Sequence, residues 1–419
     1  MTLAKTPFSP ELAVSTYERY HGLDAARAIA LLVGIFHHGI ESLVSYAKWD
    51  WITQDSQSSI ALDIIFYASH VFRMQAFFLM SGFFAHMLVT RKGMKDYIVN
   101  RAKRLVLPFV LFWPVLYAIT CYMWIWGIQY LKHIPFEEAA TKLPNYMVWS
   151  NGFPLMHMWF LYFLILFCIC VVLFKPIVDK IDRKEKLRQL IDKFIGWCMN
   201  HKTGSIVIGL IMSLPMLGMR DWFGVDTSAS GLIPRIAPFI LYGAYFILGW
   251  FLCRQRGLIN NFIKFRKVNF VTGMVLILTL IVLNLSSKGS DPSLTTIVQA
   301  SINFIYAFAS ITTVFAFIGY MLLWFNKPST SIRYLSDASY WGYLIHLPLI
   351  GFFQILVAQY EWFWGLKLAL VFIPSVILLW VSYRYVVRNT GIGVLLNGKI
   401  VDRPLSTVHS NSATQVSPP

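Results

Sequence analysis

Ten apolar segments, each near the ~20 residues that an α-helix needs to cross a bilayer, take up most of this 419-residue chain. They run approximately over 24–44, 61–89, 105–127, 156–175, 204–220, 235–253, 268–286, 297–325, 338–358 and 363–386. In hydrocarbon every backbone N–H and C=O must be satisfied internally, so runs of this length fold as helices. The fold expected is an all-α polytopic membrane protein with about ten transmembrane helices. Its composition agrees: 13% of residues are charged, where a soluble chain carries roughly a quarter.

The net charge of +16 does not point to nucleic acid, because the basic residues sit in short blocks between apolar runs. Arg91, Lys92, Lys95, Arg101, Lys103 and Arg104 crowd the second loop. Lys175, Lys180, Arg183, Lys184, Lys186, Arg188 and Lys193 fill the fourth, and Arg254, Arg256, Lys264, Arg266 and Lys267 the sixth. The loop at 45–60, with Lys48, Asp50 and Asp55, has no such excess. By the positive-inside rule the even loops and both termini are cytoplasmic. Residues 1–22 form a cytoplasmic segment without a signal-peptide core, 23–390 the membrane domain, and 391–419 a cytoplasmic tail expected to be partly disordered. The cytoplasmic loop 176–203 carries a helix-like mix over Asp179–Phe194, expected to form an amphipathic surface helix. Spans 61–89 and 297–325 are long and expected to tilt, kink or protrude. Five cysteines in or beside apolar runs lack metal-binding spacing, and no metal site is expected. No soluble domain remains to hold a reaction, so any chemistry lies inside the bundle.

Within the first span, Arg27 and His38 lie eleven residues apart, which is three helical turns plus about 20° and about 16 Å of axis. They share one face, and ionisable groups at such depth suggest function. His37 points about 100° away and is expected to pack against a neighbour, while Glu41, at i+3, is placed to orient the His38 ring. In the second span His70 and Arg73 are i,i+3 neighbours, placed with Gln75 at about the height of His38 by helix rise. Arg73 reads either as part of that polar group or as a side chain snorkelling to the interface. Ser81-Gly82 is a small pair that admits a neighbouring backbone or a thin ligand.

Arg27-x10-His38, Phe77-Phe78-x-x-Ser81-Gly82-Phe83, Arg101-x-x-Arg104 before Pro108, His157-x-Trp159-Phe160-Leu161 and Ser339-Tyr340…Tyr343-Leu344-Ile345-His346-x-Pro348 follow one another in order. Together, over roughly residues 20–390, they resemble the membrane acyltransferase family 3, which O-acylates sugars from acyl-CoA. The string His70-x-Phe72-Arg73-Met74-Gln75-x-Phe77-Phe78 and the ending Gly398-Lys399 are similar to a branch that succinylates osmoregulated periplasmic glucans; Leu347 and Arg384 depart from it.

The resemblance implies an O-acyltransferase of the bacterial inner membrane. Its donor is acyl-CoA (succinyl-CoA or acetyl-CoA), its acceptor a periplasmic glucan, and no cofactor is permanently bound. Its partners are then membrane lipids and the machinery that makes the glucan. The alternatives are an O-acetyltransferase for lipopolysaccharide or exopolysaccharide, and a transporter, against which stands the absence of two similar halves. A sugar hydroxyl needs a base, and His38 suits that role. Arg73 is the candidate for the succinyl carboxylate. Arg27, Arg101 and Arg104, with Ser81 in the channel, suit the donor and its phosphates; for Arg101 and Arg104 the alternative is simple topology. His157 and Trp159 open the fourth span where an acceptor would enter, although interface anchoring also explains Trp159. His346, counted about 12 Å above the start of its span, is expected to support the structure or line the donor channel.

Overall fold

A computed structural model describes residues 20–44, 51–220, 224–226, 228–286 and 292–398. The N-terminal segment through residue 19, Lys48 and Asp50, and the tail beyond 398 lie outside the described residues. Among those described no β-strand forms; one isolated β-bridge joins Pro154 and Ser230. The helices are α1 (His21–Ile40), α2 (Ile60–Arg101), α3 (Leu107–Lys132), α4 (Phe136–Ala140), α5 (Trp159–Ile181), α6 (Lys186–Asn200) and α7 (Gly204–Met216). They continue with α8 (Ile236–Arg254), α9 (Ile259–Ser286), α10 (Pro292–Trp324), α11 (Thr330–Ala358), α12 (Trp364–Ser382) and α13 (Gly391–Asn397).

Eight helical stretches among the described residues are long and apolar enough to cross a membrane. The chain is a multi-pass membrane protein, and these eight stretches do not set the ten expected spans apart one by one. One stretch, Ile60–Lys132, is 73 residues long and joins the expected second and third spans. The basic segment between them, expected as a loop, is helical: α2 continues through it to Arg101, breaking only at Gly93 (φ 82°), and a π-helical turn over Ala102–Val106 leads into α3. Positive φ costs glycine little, so the helix changes direction there without a loop. At the expected fifth span, α7 has 13 residues, about 20 Å of rise against a hydrocarbon core of about 30 Å. By length alone it falls short.

The expected amphipathic helix forms later than its sequence suggested. Asp182 accepts the backbone N–H groups of Leu187 and Arg188, at 3.2 and 3.0 Å, and thereby starts α6. Leu187, Leu190, Phe194 and Trp197 make an exposed apolar stripe, as an interfacial helix requires. The opposite side is fastened to α8, where Arg254 grips Asp192 through Nε (3.1 Å) and a terminal nitrogen (3.0 Å). The tail expected from 391 opens with the short helix α13.

α1 lies inside the bundle, packed on α2, α10, α11 and α12. Its buried Ala25, Ala26, Ala28, Ala30 and Gly34 let those neighbours come close. α2 crosses α8 at two glycines: a Cβ on Gly82 would strike the carbonyl of Phe246, and one on Gly249 that of Leu79. The small residue of the Ser81-Gly82 pair thus sets a backbone-to-backbone contact, and Ser81 beside it is left facing inward.

At the end opposite the basic segments, residues 51–59 are locked against α11 and α12. Lys367 Nζ donates to both oxygens of Asp55, at 2.7 and 2.6 Å, with the two side chains 0% and 2% exposed. Ser56 and Gln57 donate to Glu361. Removing one partner strands a charge in the interior, so Lys367→Met should destabilise the protein by about 3–5 kcal/mol. Adding Asp55→Leu to that variant should recover most of the loss. Thermal unfolding in detergent of the two single variants and the double checks this; equal melting temperatures for all would show the pair to be inert.

Candidate active site

A cavity of about 950 Å³ runs through the bundle between α1, α2, α5 and α11. One mouth is basic, lined by Arg27, Arg91, Lys92, Arg101 and Arg104. The middle is apolar, with Leu31, Phe77, Met80, Phe84 and Leu161 on its walls and Ser81 among them. The far end is a polar chamber bounded by His37, His38, Glu41, His70, Arg73, His157 and His346, with Trp51 and Trp159 beside them.

Local chemistry fixes the orientation of each ring. Beyond the last turn of α1, Glu41 accepts a hydrogen bond from His38 Nδ1 at 2.8 Å, so in the neutral ring Nε2 holds the free lone pair. Trp51 stacks on His38, with centroids 5.7 Å apart and planes 12° apart. Gln354 of α11 ties the two together: its Nε2 donates to the carbonyls of His38 (2.8 Å) and Gly39 (3.1 Å), and its Oε1 accepts from Trp51 Nε1 (3.0 Å). His37 stacks on Phe66 and bonds to Ser69 Oγ at 2.7 Å. Because that hydroxyl donates to Phe66 O, His37 Nδ1 is the donor of the pair.

The proline of the His346-x-Pro348 motif explains the next contact. Pro348 has no N–H for the carbonyl four residues back, so Leu344 O is free of its helical bond. His157 Nε2 donates to that oxygen at 3.0 Å. His346 Nδ1 donates to Tyr343 O at 2.7 Å. The two rings therefore carry opposite tautomers, and His157 Nδ1 is buried without a partner. Ring centroids lie 5.3 Å apart for His38 and His346, and 5.7 Å for His346 and His157.

The structure thus gathers His38, Glu41, His70, Arg73, His157, Trp159 and His346 around one chamber. His346 is the correction in height. α11 starts at Thr330, eight residues before the expected boundary, so His346 stands about 24 Å above its start, level with His38. Gln75 is the correction in direction. Two residues past Arg73, and so about 200° round the helix, it is fully buried and donates to Tyr306 OH at 3.4 Å, away from the chamber. The same phenol meets His70 Nδ1 at 3.0 Å. Arg73 is buried; its one hydrogen bond is a long one from a terminal nitrogen to Gly34 O, 3.4 Å, and Nε has no partner. No carboxylate pairs with it among the described residues.

At the basic mouth, Arg104 donates to Asn397 O at 2.7 Å. Arg101 stacks on Tyr97 with its buried Nε unpartnered. Arg27 lies 4.0 Å from Asp24, its side chain 41% exposed. No sequence pattern marks Trp51, which reaches His38 only through the fold. Gln354, an amide deep in an apolar run, is a signal visible in the sequence.

A polytopic bundle enclosing a long cavity, basic at one mouth and rich in imidazole at the other end, has the form of an integral-membrane enzyme. A family model for the acyltransferase domain matches residues 20–384, and the chain belongs to that family, the acyltransferase 3 family. It is an acyltransferase. The chain is similar to glucans biosynthesis protein C of Escherichia coli strain K12, at 26% identity over 92% of this chain and 96% of the relative. The proteins of the same name from Escherichia coli O1:K1 and from O45:K1 strain S88 match to the same extent. No solved structure matches the chain.

The tautomers can be measured. In lipid bilayers at neutral pH, histidine-selective ¹⁵N solid-state NMR should find Nδ1–H rings at His37, His38 and His346 and an Nε2–H ring at His157. Pro348→Ala restores an N–H that competes for Leu344 O, and should shift the His157 signal alone. An unshifted His157 would show that the proline does not free that carbonyl.

Proposed function

We propose that the protein transfers a succinyl group from succinyl-CoA to hydroxyls of a periplasmic glucan. The single observation that carries this reading is the His38–Glu41 pair sharing a chamber with the buried Arg73, which makes no direct ion pair among the described residues, the chamber being joined to a basic mouth. The ten-span topology with cytoplasmic termini and the membrane domain of 23–390 belong to the same proposal. It puts the basic mouth in the cytoplasm, where acyl-CoA is made, and the chamber toward the periplasm of a bacterial inner membrane. Support for the glucan comes from the name of the relatives.

In this mechanism Arg27, Arg101 and Arg104 hold donor phosphates by guanidinium forks. About 16 Å of α1 separates Arg27 from His38, a span for the donor's thioester arm to cross past Ser81. His38 Nε2 takes the proton of the acceptor hydroxyl as its oxygen attacks the thioester carbonyl. Glu41 keeps Nδ1 protonated and stabilises the imidazolium. The C–S bond breaks, and the imidazolium returns the proton to the departing sulfur. The products are an ester and free CoA, with His38 neutral again. Arg73 holds the distal carboxylate of the succinyl group, and His157, Trp159 and His70 border the acceptor.

His38→Ala should lower transfer by about 10²–10⁴-fold, the usual contribution of a general base, while the protein still inserts and accumulates. Near-normal acylation by that variant would remove His38 from the reaction. Arg27→Ala or Arg104→Ala should chiefly raise the KM for acyl-CoA, because phosphate contacts contribute binding to ground and transition states alike. A donor KM that does not move would return those arginines to topology.

The product separates succinylation from its alternatives. A succinyl carboxylate, with a pKa near 4, adds about one negative charge per transfer, and an acetyl group adds none. Anion-exchange chromatography and mass spectrometry of periplasmic glucans should show anionic species that vanish on deletion of the protein or in Arg73→Leu. Neutral glucans together with acetyl esters on a surface polysaccharide would replace this reading by the acetyltransferase one.

A further inference from the structure

The chamber holds more hydrogen-bond acceptors than one base requires. His38 Nδ1 is committed to Glu41 and His346 Nδ1 to Tyr343 O, which leaves an Nε2 lone pair on each of two rings 5.3 Å apart and lining one cavity. Behind them His157 Nδ1 is a third acceptor, buried and with no donor among the described residues. Such an atom costs stability until a donor arrives. One proton-abstracting group explains His38 and leaves His346 and His157 unexplained.

We propose that His346, backed by His157, forms an acceptor subsite that takes the hydroxyl adjacent to the one deprotonated by His38. The inference rests on the acyltransferase reading above and names what that site selects: a vicinal polyol, such as neighbouring ring hydroxyls of a sugar, in preference to an isolated alcohol. Adjacent hydroxyls each bring a donor, and His38 and His346 each present a matching lone pair. His346 is a binding and positioning residue here, with the proton transfer left to His38.

The helix supplies the rigidity that such discrimination needs. His346 bonds to a carbonyl of its own helix, and the neighbouring carbonyl, freed by Pro348, holds His157. The two rings stand perpendicular, at 90°, each held on its own backbone carbonyl.

The test is a cycle between enzyme and acceptor, run on the full-length protein in liposomes with succinyl-CoA as donor. Methyl β-glucoside, its single-deoxy analogues and propanol serve as acceptors. For wild type, removing the hydroxyl next to the acylated one should lower kcat/KM tenfold or more, and propanol should be poorer still. His346→Phe, which keeps an aromatic ring and loses the acceptor nitrogen, should raise the KM for methyl β-glucoside tenfold or more while the donor KM moves less than threefold. That variant should no longer distinguish the glucoside from the deoxy analogue. His346→Gln, whose amide oxygen can accept, should recover part of the discrimination; if Phe does not fold, Gln against Leu gives the same comparison. Equal losses from the deoxy acceptor in wild type and in the His346 variants would overturn the subsite and leave the acyltransferase reading standing. Transfer to no acceptor at all by wild type would overturn both.

Discussion

The hydrogen bond between His38 Nδ1 and Glu41 is the interaction on which the site depends, because it decides which face of one ring is reactive. Without a partner an imidazole exchanges tautomers, and its lone pair points at the cavity only part of the time. Glu41 sits where α1 gives way to a 3₁₀ turn, and its own N–H still bonds to His38 O. The carboxylate is thus carried back over the ring by the helix end itself. Around this pair the protein spends long-range contacts: Gln354 from α11, Trp51 from the α1–α2 segment, and the Asp55–Lys367 pair that holds the segment down. Each bond satisfies a group that would be costly to leave open in the interior. Stability and orientation here come from the same atoms.

Much of this was legible in the sequence, for reasons that are local. Arg27 and His38 share a face because eleven residues close three turns, and the structure puts both on one cavity. His37, one residue earlier, packs on Phe66 and also borders the chamber. Gly82 meets a neighbouring backbone, as a small residue within an apolar span leads one to expect. What escaped the sequence is what depends on where helices begin and on what crosses between them. The height of His346 differs from that counted along its apolar run because polar residues such as Arg333 and Asp337 mask the first turns of α11, and α7 is shorter than its apolar run. The basic segment after the second span looked like a loop because charge marks exposure, and an exposed helix carries charge equally well. Trp51 follows no periodic pattern; only the packing of its segment against α11 brings it over His38.

The cavity divides its chemistry by position along the helices. Guanidinium and ammonium groups gather at one mouth, apolar walls follow, and imidazoles close the far end. An apolar middle raises the cost of charge in transit, so an anionic head group is kept at the arginines while a slender uncharged arm passes inward. In the chamber the balance inverts. Arg73, a cation with weak protein contacts, stands opposite several neutral acceptor rings, an arrangement suited to one negative group and several hydroxyls. On the proposed function these are the carboxylate of the acyl group and the sugar that receives it.

Proline 348 joins these features in one residue. It removes a single N–H from the interior of α11, ordinarily a loss of about 3 kcal/mol or more in a helix. Here the freed carbonyl of Leu344 is met by His157 from the start of α5, so a backbone defect becomes a contact between two helices. That contact fixes the tautomer of His157 and, through Tyr343, which donates to His157 O at 2.9 Å, braces the segment before α5 against α11. A motif that reads in sequence as a helix breaker is in the fold the joint holding the imidazole wall of the chamber. The spacing of His346 and Pro348 follows from the same geometry. The proline frees a carbonyl two residues before the histidine, on the turn where His346 bonds to Tyr343 O, and both rings are then anchored to successive carbonyls of one strut.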